Sequence, residues 1–385
     1  MSIFIVYLLA PCLLYCIRPA KSNYLLVGYW VIISLLSYDN VTDYFNYYQE
    51  FVSQDFEASG FVSKGREYGW ILLVKTFSFW RYGYIIVHAV SLSCVLLMYF
   101  HYSKRYEILN ISILLYFLLN LVTMHDNTWR QNISMSVIYF VMPMMLGKMS
   151  IKSSIIVPIT IMGAAMFHYS ALLMIPLWFV IRWLSRSTFN VAFVLLLMVV
   201  LMSFRSLESV NNIMNQIALL LSMATSSDLM SYYSVHLQEG EAGGMGISSI
   251  LLCLSSCIPL LYYKTYGKNE YANNQVKRFC VNACCFVAIW RTVLNQGLLV
   301  RPAEYLMWPY VWGYSFFIVD AFARKRDVMP KLAAMFVILF AIAFAYKSFE
   351  TYYGDSHYMT VLSEDCAKMK FYTRNTDELQ HLRIR

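Results

Sequence analysis

Eight ionisable residues of this 385-residue chain lie beside long apolar runs: Asp43, Glu67, Asp126, Arg130, His168, Arg291, Arg301 and Glu304. Charge next to hydrocarbon is costly, so each is a candidate for function. Arginine stays charged at any relevant pH and makes planar bidentate contacts with phosphate oxygens. Carboxylates accept hydrogen bonds from hydroxyl groups. An imidazole with its ordinary pKa near 6.5 can take up a proton at neutral pH. Beside a lipid interior this set suits a diphosphate-bearing lipid with a polar head. The cations would meet the charge that develops on a departing diphosphate. Carboxylates and the flat faces of Tyr and Trp are what a sugar asks for.

Each residue also has an ordinary alternative. An arginine at a helix end, such as Arg291, can anchor to lipid headgroups. Glu67 can cap the helix that follows it, and His168 can be a satisfied turn histidine. Many of the 31 Tyr must form an interfacial belt. Arg130 is harder to set aside, because Asn127-Thr128-Trp129-Arg130-Gln131-Asn132 is a dense polar cluster between apolar runs. Taken singly the signals are weak, and their weight comes from falling on one side of a membrane.

That side follows from the elements. Apolar residues make up 59% of the chain and charged residues 14%, with a mean hydropathy of +0.53. A soluble domain of this length needs more charge for its surface. Apolar blocks predict an all-α, polytopic membrane protein with spans near 2–17, 23–38, 83–100, 108–124, 131–147, 153–166, 169–183, 188–204, 246–263, 279–296, 302–322 and 332–347. Twelve spans put both termini on one side. With the N-terminus outside, six short inner loops hold 16 of the 30 Lys and Arg, from Arg18 and Lys21 to Arg326 and Lys331, and only Glu107, Glu270, Asp320 and Asp327 among the acids. Positive residues stay inside, so both termini are expected in the periplasm. The net charge of +8 then reflects cytoplasmic anchoring, and no nucleic-acid partner is expected.

Segment 153–183 tests that reading. As one helix it would run roughly 46 Å, against about 30 Å of hydrocarbon. Basic residues flank both ends (Lys148 and Lys152; Arg182 and Arg186). Two short helices meeting near His168 are expected, with the histidine at the outer surface. The outer loops are 39–82, whose stretch 68–80 is too short to span and should lie in the interface, and 205–245. Residues 1–347 read as one transmembrane domain, and 348–385 as a polar tail. The Gly240–Gly246 stretch lacks the Lys-Ser/Thr of a phosphate loop and reads as a flexible lead-in. Eight of the nine Cys lie in apolar blocks without ligand spacing, so they read as packing residues, and no metal is expected. Residues 1–17 lack a basic start and a small-residue cleavage site, and read as a retained span.

Motif order adds a resemblance. Thr42-Asp43-Tyr44-Phe45-Asn46-Tyr47-Tyr48, after a short helix, a basic turn and a second helix, resembles the opening of EpsG-like and Wzy-type polysaccharide repeat-unit polymerases. Arg66-Glu67-Tyr68-Gly69-Trp70 is similar to that family's Glu-Pro-Gly-Tyr segment, without the Pro and with the Gly after the Tyr. Arg130-Gln131 resembles an Arg-Gln that opens a helix. Phe167-His168-Tyr169-Ser170-Ala171-Leu172 matches a Phe-His-x-Ser-Ala-Leu signature, and Arg301-Pro302-Ala303-Glu304-Tyr305 resembles a late Arg-x-x-x-Tyr. The order holds over about residues 1–320.

The resemblance implies a membrane glycosyltransferase of GT-C-like architecture in the bacterial inner membrane, with its site facing the periplasm. Such enzymes move a growing glycan from undecaprenyl diphosphate to the non-reducing end of a lipid-linked repeat unit, usually with inversion. Implied partners are these lipid-linked oligosaccharides, membrane lipid and a chain-length regulator, with no cofactor. His168 is the expected base, with Glu67 and Asp43 as rival bases or sugar-orienting carboxylates. Arg130 and Arg301 are expected on the diphosphate, and Gln131, Arg291, Glu304 and Tyr305 elsewhere on the substrate. Rival readings are a flippase for the same lipids, which should show internal repeats and mid-helix polar residues, and a ligase joining finished polymer to lipid A core.

Overall fold

The computed structural model describes residues 67–80, 83–106, 108–120, 128–205, 247–293, 297–324 and 326–353, together with Gly28, Tyr29, Ile32, Tyr47, Glu50 and Phe51. Among these residues every regular element is helical. In chain order they are α1 (Tyr68–Phe77), α2 (Gly83–Arg105), α3 (Leu109–Asn120), α4 (Trp129–Tyr139), α5 (Met142–Leu146), α6 (Ile151–Ala165), a 3-10 turn (Tyr169–Leu173), α7 (Met174–Arg186), α8 (Val191–Arg205), α9 (Ile247–Thr265), α10 (Lys268–Asn273), α11 (Gln275–Val293), α12 (Gly297–Tyr305), α13 (Met307–Ala323) and α14 (Val328–Tyr353).

Helices coincide with ten of the twelve expected spans, and the first two lie largely outside the described residues. Among the described residues one window, Val328–Lys347, is long and apolar enough for a full crossing; Gly83–Val95, Asn110–Leu119, Ile151–Ala165, Val191–Leu201 and Ile250–Thr265 are shorter apolar stretches. Two expected spans are broken. The first breaks between α4 and α5, where Pro143 sits in the first turn of a new helix with no N–H to bond backwards. The second breaks at Leu306, between α12 and α13. As expected, 153–183 is not one helix: α6 ends at Ala165, Phe167 and His168 donate to Ala164 O, and a 3-10 turn follows.

α4 is the helix on which the site is built. Gln131, Asn132, Ser134 and Ser136 are all buried on it, which only a helix enclosed by protein tolerates. It packs on α2, α6 and the 3-10 turn. Its start rests on an aromatic stack, with Trp129 between His88 (centroids 4.2 Å apart) and Tyr47 (5.0 Å). Ser91 Oγ donates to Trp129 O at 2.9 Å.

The second half centres on α11, packed against α13, α9 and α7. Here Gly313 of α13 meets Cys280 and Cys284 of α11 so closely that a Cβ would lie 2.5 Å from Cys280 O and against Cys284 Sγ. The buried cysteines are packing thiols, with Cys284 Sγ donating to Tyr310 O at 3.1 Å.

The basic ends of these helices are tied down. Arg182 donates to Gly147 O (2.7 Å), Arg278 to Ser185 O (2.7 Å) and Gln275 to Leu146 O (2.6 Å), satisfying carbonyls at helix C-termini. Lys277 lies 2.7 Å from both Glu270 and Asp320, and Tyr263 OH donates to Asp320.

Candidate active site

Glu67 occupies the N-cap position of α1, with extended backbone, but its side chain makes no capping bond. Its carboxylate turns instead to two other segments. Oε2 accepts from Arg130 Nη1 at 2.5 Å, while Oε1 accepts from Tyr169 N–H at 3.2 Å and faces His168 Nδ1 at 3.3 Å. The capping alternative therefore does not hold. Gly69 makes the approach possible: its N–H donates to Met166 O at 2.8 Å. A Cβ there would sit 2.9 Å from that oxygen and 3.2 Å from the Phe167 ring.

Burial sets the protonation states. Glu67, 4% exposed, is pushed up by loss of water, but its bond to His168 and the charge of Arg130 outweigh that and bring its pKa down to about 2. Burial pulls His168 down to about 4, and the charges of Arg130 and Arg301 act in the same direction, against the raising bond to Glu67. At neutral pH the pair is a carboxylate and a neutral imidazole. With Glu67 ionised, Nδ1 carries the proton and Nε2 the lone pair. Nε2 has no hydrogen-bond partner among the described residues.

A second corner is built on the next residue of α4. Gln131 Oε1 accepts from Arg301 at 2.6 Å, and its Nε2 donates to Glu304 at 2.8 Å. Arg301 and Glu304 pair directly at 2.9 Å. Tyr305 is fully buried, its hydroxyl 3.2 Å from both Ser134 of α4 and Ser170 of the 3-10 turn. It ties α12 to α4 and to the 3-10 turn. Arg291, near the end of α11, touches Met307 Sδ at 3.9 Å and lies within electrostatic reach of Glu304.

Eight of the nine residues expected at the site are thus gathered from five separate elements. Asp43 lies outside the described residues, as does Asp126. Three contributors escaped the sequence reading. Glu50, fully buried, accepts from Trp70 Nε1 at 2.7 Å and lies within electrostatic reach of Arg130. Ser134 is hidden in an apolar run. Ser170 stood in the His-x-Ser-Ala-Leu match but has no charge to mark it.

The arrangement can hold a proton acceptor against an anionic backstop, with cations close by. The model of the EpsG family matches residues 23–360. No curated protein and no solved structure matches the chain.

Proposed function

The chain belongs to the EpsG family of Wzy-like, polysaccharide-polymerase-type membrane proteins, and from that premise we propose that it lengthens a glycan carried on undecaprenyl diphosphate. A role in polysaccharide biosynthesis follows from the family. The proposal concerns the reaction: transfer of the growing chain to the non-reducing end of a lipid-linked repeat unit, at the periplasmic face, as in O-antigen synthesis.

The Glu67–His168 pair supports this reading most. Glu67 holds Nδ1–H, so the Nε2 lone pair can take the proton of the acceptor hydroxyl. The freed oxygen attacks the anomeric carbon, and the bond from that carbon to the diphosphate oxygen breaks with inversion. The imidazolium formed on the way is stabilised by Glu67, and the charge growing on the diphosphate by arginine. No metal is needed where guanidinium supplies the positive charge. A flippase has no use for a base beside a cation. Its polar residues should also lie along helix interiors rather than at one end.

Purified protein in nanodiscs, supplied with lipid-linked repeats, should elongate them. His168→Ala and Arg301→Ala should fold and leave single repeats. Normal chain growth in both variants would sink the assignment. Loss of the gene should likewise leave single-repeat glycolipid at the surface, whereas loss of a ligase leaves polymer on its carrier.

A further inference from the structure

The three arginines of the site differ in what surrounds them. Around Arg130 stand two carboxyl groups, Glu67 at 2.5 Å and Glu50 within electrostatic reach. Its guanidinium lies over the Tyr47 ring (5.7 Å to the centroid), and its Nε is buried with no hydrogen-bond partner among the described residues. Among the described residues Glu304 faces two guanidiniums, Arg301 at 2.9 Å and Arg291 within electrostatic reach. Among the described residues Arg291 has no ion-pair partner, and its one close acceptor is the Met307 thioether at 3.9 Å. The Arg301 side chain is 30% exposed, against 15% for Arg130.

Among the described residues, then, Arg130 is enclosed by carboxyls, whereas Arg291 has no ion pair and Arg301 is the more exposed guanidinium. A half-buried cation without a counter-charge is unfavourable until an anion arrives. An anion brought to Arg130 would instead meet two carboxyls. We infer that the diphosphate of the ligand binds at the α11–α12 corner on Arg291 and Arg301, and that Arg130 is a positioning residue that fixes Glu67 and, through it, His168. Gln131 joins the corners, since it holds both Arg301 and Glu304 from the residue beside Arg130. The leaving group would lie on α11–α12, and the acceptor hydroxyl on the His168 side. The identity of the anion as a lipid diphosphate rests on the polymerase reading; its location does not.

Binding of inorganic pyrophosphate and of farnesyl diphosphate to the whole chain in nanodiscs tests this. Arg291→Gln should weaken both about 10- to 100-fold, the worth of a lost charged hydrogen bond, with the unfolding temperature unchanged. Arg291→Lys should recover part of the loss. Arg130→Lys should bind both probes like the parent but lower the unfolding temperature and shift the acid limb of the pH–rate profile. Two results would overturn the inference. One is Arg130→Lys losing diphosphate as Arg291→Gln does, while unfolding like the parent. The other is Arg291→Gln keeping both probes while losing only retention of phosphatidylglycerol, the mark of a headgroup anchor. A parent protein that binds pyrophosphate through Arg291 yet elongates nothing would uphold the subsite and refute the polymerase.

Discussion

Glu67 stays ionised under cover because three donors reach it: a guanidinium, an imidazole and a backbone N–H. The same contacts tie stability to pH. His168 has a folded pKa of about 4, below its ordinary 6.5. Between those values the unfolded chain binds a proton that the folded chain refuses, so stability falls as pH drops below 6.5. Glu67 is also lowered, from 4.5 to about 2, so the stability it contributes is present above 4.5 and lost as pH falls through 2. Both groups act in one direction, and acid should destabilise in two successive windows. Thermal unfolding followed from pH 7 downward should show the first decline starting below pH 6.5, and His168→Gln should flatten it. A His168→Gln profile with the parent's slope between 6.5 and 4 would mean that this histidine does not titrate as its surroundings require. Glu67→Gln should cost about 3 kcal/mol at neutral pH, because it strips a mostly buried guanidinium of its nearest counter-charge.

What was legible in the sequence, and what was not, divides on the same physics at the level of elements. Charges among apolar residues stand out, so Arg130, His168 and Arg301 were visible, and the break at His168 followed from length and flanking charge. Glu50 was not, because it stands in an acidic stretch of sequence where nothing marks one carboxyl as buried against Trp70. The break at Leu306 was hidden by an apolar run that continues across it. Nor does hydropathy show that Glu67, 63 residues away, pairs with Arg130; only packing does that. Gly313 is similar. It reads as one small residue in a span, but it sets the distance between α11, which carries Arg291, and α13, which follows directly on α12 with Arg301. Close crossings of membrane helices depend on such residues. Gly313→Ala should force Cys284 and the Cys280 carbonyl aside, costing about 1–3 kcal/mol by overpacking. Gly313→Val should also weaken pyrophosphate binding by spreading the α11–α12 corner. Unfolding temperatures and pyrophosphate titration of both variants check this; a Gly313→Val protein with parental values in both would show that the crossing has slack.

Across the whole molecule several of the helices that reach the site carry basic residues at or beyond their other end. α11 begins with Lys277 and Arg278 and ends with Arg291, about 20 Å further along one helix axis. The α12–α13 pair runs from Arg301 to Arg324, and the two helices meeting at His168 have Lys152 and Arg186 at their far ends. Two polar ends separated by apolar helix are what a bilayer demands. The outward faces between them expose Ile155, Ile159 and Met162 of α6, Phe193 and Leu196 of α8, and Leu332 and Leu339 of α14. Which end is outside follows from the positive-inside bias, and that is the last prediction. Tyr68, 78% exposed beside Glu67, and Lys268, exposed at the start of α10, mark the two ends. Most of the described native cysteines are buried, so they should contribute little background. In intact cells a membrane-impermeant maleimide should label Tyr68→Cys, and should reach Lys268→Cys only after lysis. Labelling in the opposite order would turn the molecule over, place His168 at the cytoplasm, and remove the periplasmic acceptor from the proposed reaction.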